Sequence, residues 1–397
     1  MFLEILLAVL AGLIIGIFTG LFPGVHINLV AIMLVSISPA LLKFVAPIAL
    51  VSFLVSMAIT HTFLDILPSI FLGVPKEETA LSILPGHELL LQGRGYEAVR
   101  LSSIGSLAAL FVILIISPLY IWLLPKYYPL FQEYMAFILI GAAGFLILRD
   151  EKKFLALLLF SLSGILGIFT LSLTLIKQPL LPLLSGLFGS SLLMMSFIKK
   201  SRIPRQNFEY EEKVQGTRGA LTSSILSGSI VSFLPGLGAA QGAVLGSSFT
   251  KLNKKAFLIL LGAVSTITMG LGFTALYVLS KPRHGVAVAT GKILDYFSLN
   301  HLLLLFAVML FAGGIAFLLT LKTAKIFARQ MSKVNYSKLS FWILGLIVLL
   351  CILVSGPVSL LVLATGTAIG ILCSALGIRK MHLMGCLILP VILYFLI

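Results

Sequence analysis

Charge is what this sequence has least of. Of 397 residues only 10% are Asp, Glu, Lys or Arg, against about 25% in an ordinary soluble domain. A chain this poor in charge and 59% hydrophobic excludes a soluble enzyme and a disordered segment. Cysteine is scarce as well. Cys351, Cys373 and Cys386 all sit in apolar C-terminal runs, with neither metal-ligand spacing nor a disulfide framework. Acidic residues number 13 against 28 basic ones, a net charge of +15. In a soluble chain that balance would suggest nucleic acid. Here the basic residues are read as cytoplasmic-loop residues that set topology, and no nucleic-acid partner is expected.

What the sequence has is long apolar runs, at 2–37, 44–72, 101–124, 133–148, 154–176, 180–198, 219–249, 256–280, 299–320, 339–355, 357–376 and 383–397. About 20 apolar residues cross a bilayer as one helix, so the chain reads as a multi-pass protein of the cell membrane with about ten spans. The runs lack the alternation of a β-barrel. Glu4 is the only early charge, so the first run lacks the basic start of a cleaved signal and is expected to stay in the protein.

Two runs are too long for one span and are broken in the middle, by Pro23-Gly24 and by Pro235-Gly236. Proline removes a helical N–H and clashes with the preceding turn, and glycine lets the chain reverse. Each run therefore reads as a broken helix or re-entrant hairpin. At an offset of 212 residues Gly16 meets Gly228, Pro23 meets Pro235 and Gly24 meets Gly236. Thr60 and Thr62 correspond more loosely to Thr266 and Thr268. This predicts a first half over 1–198, a basic linker over 199–218 and a second half over 219–397.

Loop charge orients the halves. Six basic residues in 199–218 and five in 322–338 place both loops inside. The segment 149–153, the loop 76–100 and Lys251 to Lys255 then fall inside, with Lys43, Lys126 and Lys177 outside. Five spans separate the broken runs, so the two halves are expected to be inverted.

Inverted repeats with interrupted helices point to a secondary transporter whose site lies near the midplane. Unpaired N–H groups at a half-helix N-terminus attract anions. The residues expected to line the site are Pro23, Gly24, Val25, His26 and Asn28 at one tip. At the other they are Pro235, Gly236, Leu237, Gly238 and Gln241. His61 and Asp65 lie four apart on one helix face. With Thr60, Thr62, Thr266 and Thr268 they are the candidates for ion coupling, by Na⁺ or H⁺. The plainer readings are a kink at each Pro-Gly, a satisfied buried His26 and a structural His61–Asp65 pair. No cofactor and no metal is expected. The Gly236-to-Gly242 string is not a dinucleotide fingerprint, because no strand precedes it.

Gly16-x-x-x-Gly20-x-x-Pro23-Gly24 is followed by Thr79-Ala80, Leu84-Pro85-Gly86, Gln92-Gly93-Arg94 and Ala98. Together with Phe233-Leu234-Pro235-Gly236-Leu237-Gly238, this resembles the large membrane subunit of the tripartite tricarboxylate transporters. The resemblance implies a permease for organic anions, not an enzyme, with the two Pro-Gly tips forming the substrate site. It also implies work with a small membrane subunit and an extracytoplasmic binding protein. The paired tips are also similar to those of polyprenyl-phosphate translocases, which keeps a lipid phosphate open as the substrate. An intramembrane lipid-modifying enzyme using His26, His61 and Asp65 is a third reading. The expectation is an all-α, inverted-repeat carrier for a small di- or tricarboxylate, and a homo-oligomer is compatible with it.

Overall fold

The computed structural model describes the whole chain except residues 23–26, 74–82, 199–202, 210–213, 234–237, 283, 332–335 and 397. Every regular element among the described residues is helical. The first half holds α1 (Phe2–Leu21), α2 (Ile27–Leu41), α3 (Pro47–Leu64), α4 (Ile83–Leu91) and α5 (Gly95–Glu133). It continues with α6 (Met135–Leu148), α7 (Lys153–Ser172), α8 (Leu180–Leu184) and α9 (Ser191–Ile198). Then come α10 (Thr217–Phe233), α11 (Ala239–Phe249), α12 (Lys254–Leu279), α13 (Gly285–Ile293) and α14 (Leu299–Met331). The chain ends with α15 (Tyr336–Leu350), α16 (Ser359–Ala375) and α17 (Gly385–Leu396). Among the described residues, 7 helices have the length and apolarity to cross a membrane, and four shorter apolar helices accompany them. Phe18, Phe111, Ile115, Phe154 and Trp342 stand exposed on the outer helices, the surface lipid would cover. This is a multi-pass membrane protein.

α3 and α12 form the centre and are buried along most of their length. Three of their hydroxyls return to their own backbone. Thr60 Oγ1 donates to the Ser56 carbonyl at 2.8 Å, Thr62 Oγ1 to Ala58 at 2.9 Å and Thr268 Oγ1 to Val264 at 2.8 Å. That keeps each hydroxyl bonded where no water is at hand.

Small residues set the packing, as they must where lipid supplies no hydrophobic drive between helices. A Cβ on Gly16 would lie 2.6 Å from Thr60 Cβ, and one on Gly20 would lie 2.9 Å from Leu64 Cβ. The contacts climb both helices together, so α1 and α3 run parallel. Ser56 Oγ donates to the Val9 carbonyl at 2.7 Å, and Glu4 accepts from the Ala46 N–H at 2.7 Å. α5 lies parallel to α12 in the same way. Ser106 Oγ donates to the Gly262 carbonyl at 3.0 Å, and Ser117 and Thr274 share a hydrogen bond of 3.2 Å.

α14 packs along α3, where Gly313 faces Ile59 and Phe63, and Phe327 meets Phe71 at a centroid distance of 5.7 Å. α10 runs parallel to α12, with Gly228 against Ile267. α11 returns antiparallel between them, placing Gly242 against Val231 and Val264, and Gly246 against Ser227 and Leu260. α2 instead packs mainly against α13.

Two boundaries differ from those expected. Gly95–Arg100 opens α5 instead of belonging to a loop, and Lys126 lies inside α5, which runs 39 residues to Glu133. Pro118, Pro125 and Pro129 sit inside that helix. At about 1.5 Å per residue α5 is far longer than a bilayer is thick, so its charged first turn extends beyond the apolar part. Gln206, from the expected linker, docks on this turn. Its Oε1 accepts from the Gly95 N–H at 2.9 Å and its Nε2 donates to the Leu90 carbonyl at 3.0 Å.

Candidate functional site

Of the expected tip residues, Pro23, Gly24, Val25, His26, Pro235, Gly236 and Leu237 lie outside the described residues. Asn28 falls in the first turn of α2. Gly238 and Gln241 start α11. The Gly238 N–H donates to Gln241 Oε1 at 2.9 Å, so this buried amide caps its own helix. A polar residue three positions after a helix cap is a known start pattern, and the Gly238-x-x-Gln241 spacing carried that signal.

His61 and Asp65 fall where expected, one turn apart at the end of α3, and both are 2% exposed. His61 Nδ1 lies 3.1 Å from Thr19 Oγ1 of α1. This contact ties the helix that leads into the first Pro-Gly break to the ionisable pair. Thr266 is fully buried, whereas Thr268 is half-buried.

The structure adds a group that no motif announced. The turns around 149–152, 251–254 and 377–381 meet α4 and the region from Phe188 to Leu192 around a cavity of about 500 Å³. Arg149, Lys251, Lys254, Arg379 and Lys380 line it, with Glu88 as its carboxylate. Lys254 pairs with Glu88. Arg379 Nε stands 3.9 Å from Asp150. Lys380, in the turn between α16 and α17, is only 7% exposed, and its Nζ donates to Ser191 Oγ at 3.0 Å. Burial pushes its ammonium down to about 8, with Cys373 pulling weakly the other way.

Two histidines anchor this end. His382 Nε2 lies 3.0 Å from Asp150 Oδ2. Burial opposes ionisation of Asp150. The His382 hydrogen bond, the Lys152 N–H and the neighbouring positive charges outweigh it and hold the carboxyl below its usual value. His87 of α4 sits 3.3 Å from the Ile70 carbonyl. Burial drives it down to about 4 despite that bond, and Lys380 adds to the shift. No group of three or more potential metal ligands occurs among the described residues.

The family model described as the tripartite tricarboxylate transporter TctA family matches residues 6–385. The chain is also 30% identical over 357 residues to an uncharacterized protein, MJ1079, of Methanocaldococcus jannaschii. That match covers 87% of this chain and 88% of the relative. No solved structure matches. A match running from α1 to the start of α17 places this chain in the tripartite tricarboxylate transporter TctA family, a family of permeases and not of enzymes.

Proposed function

We propose that this chain is the large permease subunit of a carrier for a small organic anion, a di- or tricarboxylate, held between two Pro-Gly tips. Membership of the TctA family over residues 6–385 is the observation that carries the reading. The tip residues would be Pro23, Gly24, Val25, His26 and Asn28 facing Pro235, Gly236, Leu237 and Gly238, with Gln241 holding the second tip in shape. Backbone N–H groups at such breaks bind a carboxylate without a charged side chain.

Packing supports two related halves. α3 runs parallel to α1 of its own half and to α14 of the other; α12 runs parallel to α10 of its own half and to α5 of the other. α11, with 11 residues, is about 16 Å long, close to half the apolar thickness of a bilayer, which suits a re-entrant arm. Loop charge supports inversion: α1 begins beside the Lys43 end, read as outside, and α10 begins at the basic inner end. The remaining apolar helices would bring the spans to about ten.

His61 and Asp65, with Thr60 and Thr62 on α3 and Thr266 and Thr268 on α12, would couple transport to Na⁺ or H⁺. The Thr19–His61 contact gives a route from that pair to the first tip. A small membrane subunit and an extracytoplasmic binding protein would complete the system.

The test is a thermal-stability screen of the purified protein in detergent. The panel holds di- and tricarboxylates, inorganic phosphate and short-chain polyprenyl phosphates, each with and without Na⁺ and at two pH values. A carboxylate at 100 times its Kd should stabilise by about 2.7 kcal/mol. That gain should disappear in Gly236→Ala and in His26→Ala. Stabilisation confined to the polyprenyl phosphates would overturn the carboxylate reading in favour of a lipid-phosphate translocase.

A further inference from the structure

The cavity at the 149–152, 251–254 and 377–381 turns has a charge problem that the proposed carrier site does not explain. Its lining holds five cations and one carboxylate. Glu88 is taken by Lys254. Arg379 lies 3.9 Å from Asp150, which His382 shares. Three cations remain. Arg149 reaches the Ser248 carbonyl at 3.4 Å and covers the Phe145 ring. Lys251 has no carboxylate partner among the described residues. Lys380 has the Ser191 hydroxyl. A buried ammonium opposite a hydroxyl is expensive to keep charged unless a counter-ion arrives. Such a group is retained more readily for binding than for stability.

The space suits a ligand. A volume of about 500 Å³ lies within the range of small-molecule sites, which join apolar walls to a few convergent polar groups. Phe188, Leu192 and Phe257 supply the walls. Asn253, which also lines the cavity, caps α12 by accepting from the Ala256 N–H at 2.8 Å. The positive end of that helix therefore adds to the field. Ser247 is the lining residue of α11, nine positions beyond Gly238 and so about 14 Å along the helix from the second tip. The 149–152 and 251–254 turns and α4 fall on the side that loop charge assigns to the interior.

We propose that this cavity binds a multivalent anion through Arg149, Lys251 and Lys380, at a site separate from the Pro-Gly tips. The chemistry recognised is a cluster of carboxylate or phosphate oxygens. It can come from a soluble di- or tricarboxylate at the inner mouth, or from the headgroup of an anionic phospholipid.

Two arms separate the sources. In the first, citrate binding is measured by calorimetry in detergent on the Gly236→Ala background, which silences the proposed carrier site. In the second, the protein is exchanged into nanodiscs of phosphatidylcholine with or without phosphatidylglycerol, and retained lipid is counted by mass spectrometry. Both arms compare the parent with Lys380→Met and with Arg149→Gln/Lys251→Gln. The double variant changes only exposed side chains, so it stays informative should Lys380→Met fail to fold. At least tenfold weaker citrate binding in the variants would establish a soluble-anion site. Loss of retained phosphatidylglycerol would establish a lipid site. Variants indistinguishable from the parent in both arms would overturn the proposal. Citrate binding abolished by Gly236→Ala, together with phosphatidylglycerol retention unchanged in the cavity variants, would overturn it too, while leaving the carrier reading intact. Citrate binding that Gly236→Ala leaves unchanged and the cavity variants abolish would sink only the carrier reading.

Discussion

Asp150 and His382 are 232 positions apart in sequence and 3.0 Å apart in space. One lies in the turn after α6, the other in the turn before α17. The pair joins the first half of the chain to its C-terminus, beside the cationic cavity. His382 is 3% exposed and Asp150 8%, so neither can trade the other for water without rearrangement.

Asp150→Asn should therefore destabilise the protein at neutral pH by about 1–3 kcal/mol, the usual effect of stripping a buried group of its charged partner. The pH dependence has a definite sign. The folded protein holds the Asp150 carboxyl below its ordinary value, so near pH 4 the unfolded chain binds more protons there than the folded one. That stability is present above the ordinary carboxyl pKa and is lost as pH falls through the folded value. Melting temperatures of wild type and Asp150→Asn should converge in that acid window. Parallel curves would show that the carboxylate is not the source.

His87 acts at a higher pH. Its imidazole is driven down to about 4 from 6.5, so between those values the unfolded chain takes up a proton that the folded chain refuses. Stability should fall as pH drops from 6.5 towards 4, by up to about 3 kcal/mol at 1.36 kcal/mol per pKa unit. His87→Gln should flatten the melting curve across this window. The acid-limb slope of each variant, measured in the same detergent, checks both histidine and carboxylate contributions.

Gly16 and Gly141 make a contrasting pair. A Cβ at Gly16 would meet the Thr60 side chain at 2.6 Å and the Met57 carbonyl at 2.7 Å. A larger residue must then push α1 off α3 and disturb the Thr19–His61 contact. Gly16→Leu should cost about 1–3 kcal/mol through overpacking. Gly141 on α6 has nothing within 4 Å of its missing Cβ, so Gly141→Ala should be neutral or gain up to about 1 kcal/mol of helix propensity. Denaturation midpoints of the two variants should move in different directions. A Gly16→Leu protein as stable as wild type would show that the two helices do not need this approach.

The sequence made part of this legible and part not. Apolar runs revealed the membrane helices, because each span reports itself locally. The ionisable pair His61–Asp65 was visible from a four-residue interval, whereas the close approach of Gly16 and Gly20 to α3 emerged only from the structure. The extent of α5 was hidden because Pro118, Pro125 and Pro129 look like helix breaks, although the long helix absorbs them. The cavity was hidden for another reason. Its cations come from three turns far apart in the chain, and each turn alone reads as an ordinary inner loop. Lys380 has no local mark of burial. Ser191, its partner, is 189 positions away.

The proposed ion coupling rests on Asp65. The residue is buried at the end of α3 with His61 one turn before it, and its backbone N–H closes the helix onto the His61 carbonyl at 2.9 Å. Asp65→Asn keeps the shape and removes the charge, exchanging one acceptor oxygen for an NH2 donor. In proteoliposomes it should abolish Na⁺- or pH-dependent substrate accumulation while leaving ligand binding within a few-fold of wild type. Retained ion dependence would assign Asp65 a structural role.

Topology can be tested with the protein's own thiols as a silent background. Cys351, Cys373 and Cys386 are all buried, so a single introduced cysteine in an otherwise unchanged chain reports alone. Lys43 adjoins the paired N-terminal ends of α1 and α3, where Glu4 accepts from Ala46. Asn253 caps α12 at the opposite end of the charge assignment and donates to the Gln215 carbonyl at 3.0 Å. If the halves are inverted, α1 and α10 start on opposite sides of the membrane. Lys43→Cys should then react in intact cells with a membrane-impermeant maleimide, whereas Asn253→Cys should react only after the cells are opened. Arg379→Cys should follow Asn253→Cys, because both line the same cavity. Reaction of the first two from one side would end the inverted-repeat model, since five spans cannot then separate the broken helices. Reaction of Asn253→Cys and Arg379→Cys from different sides would contradict the fold itself.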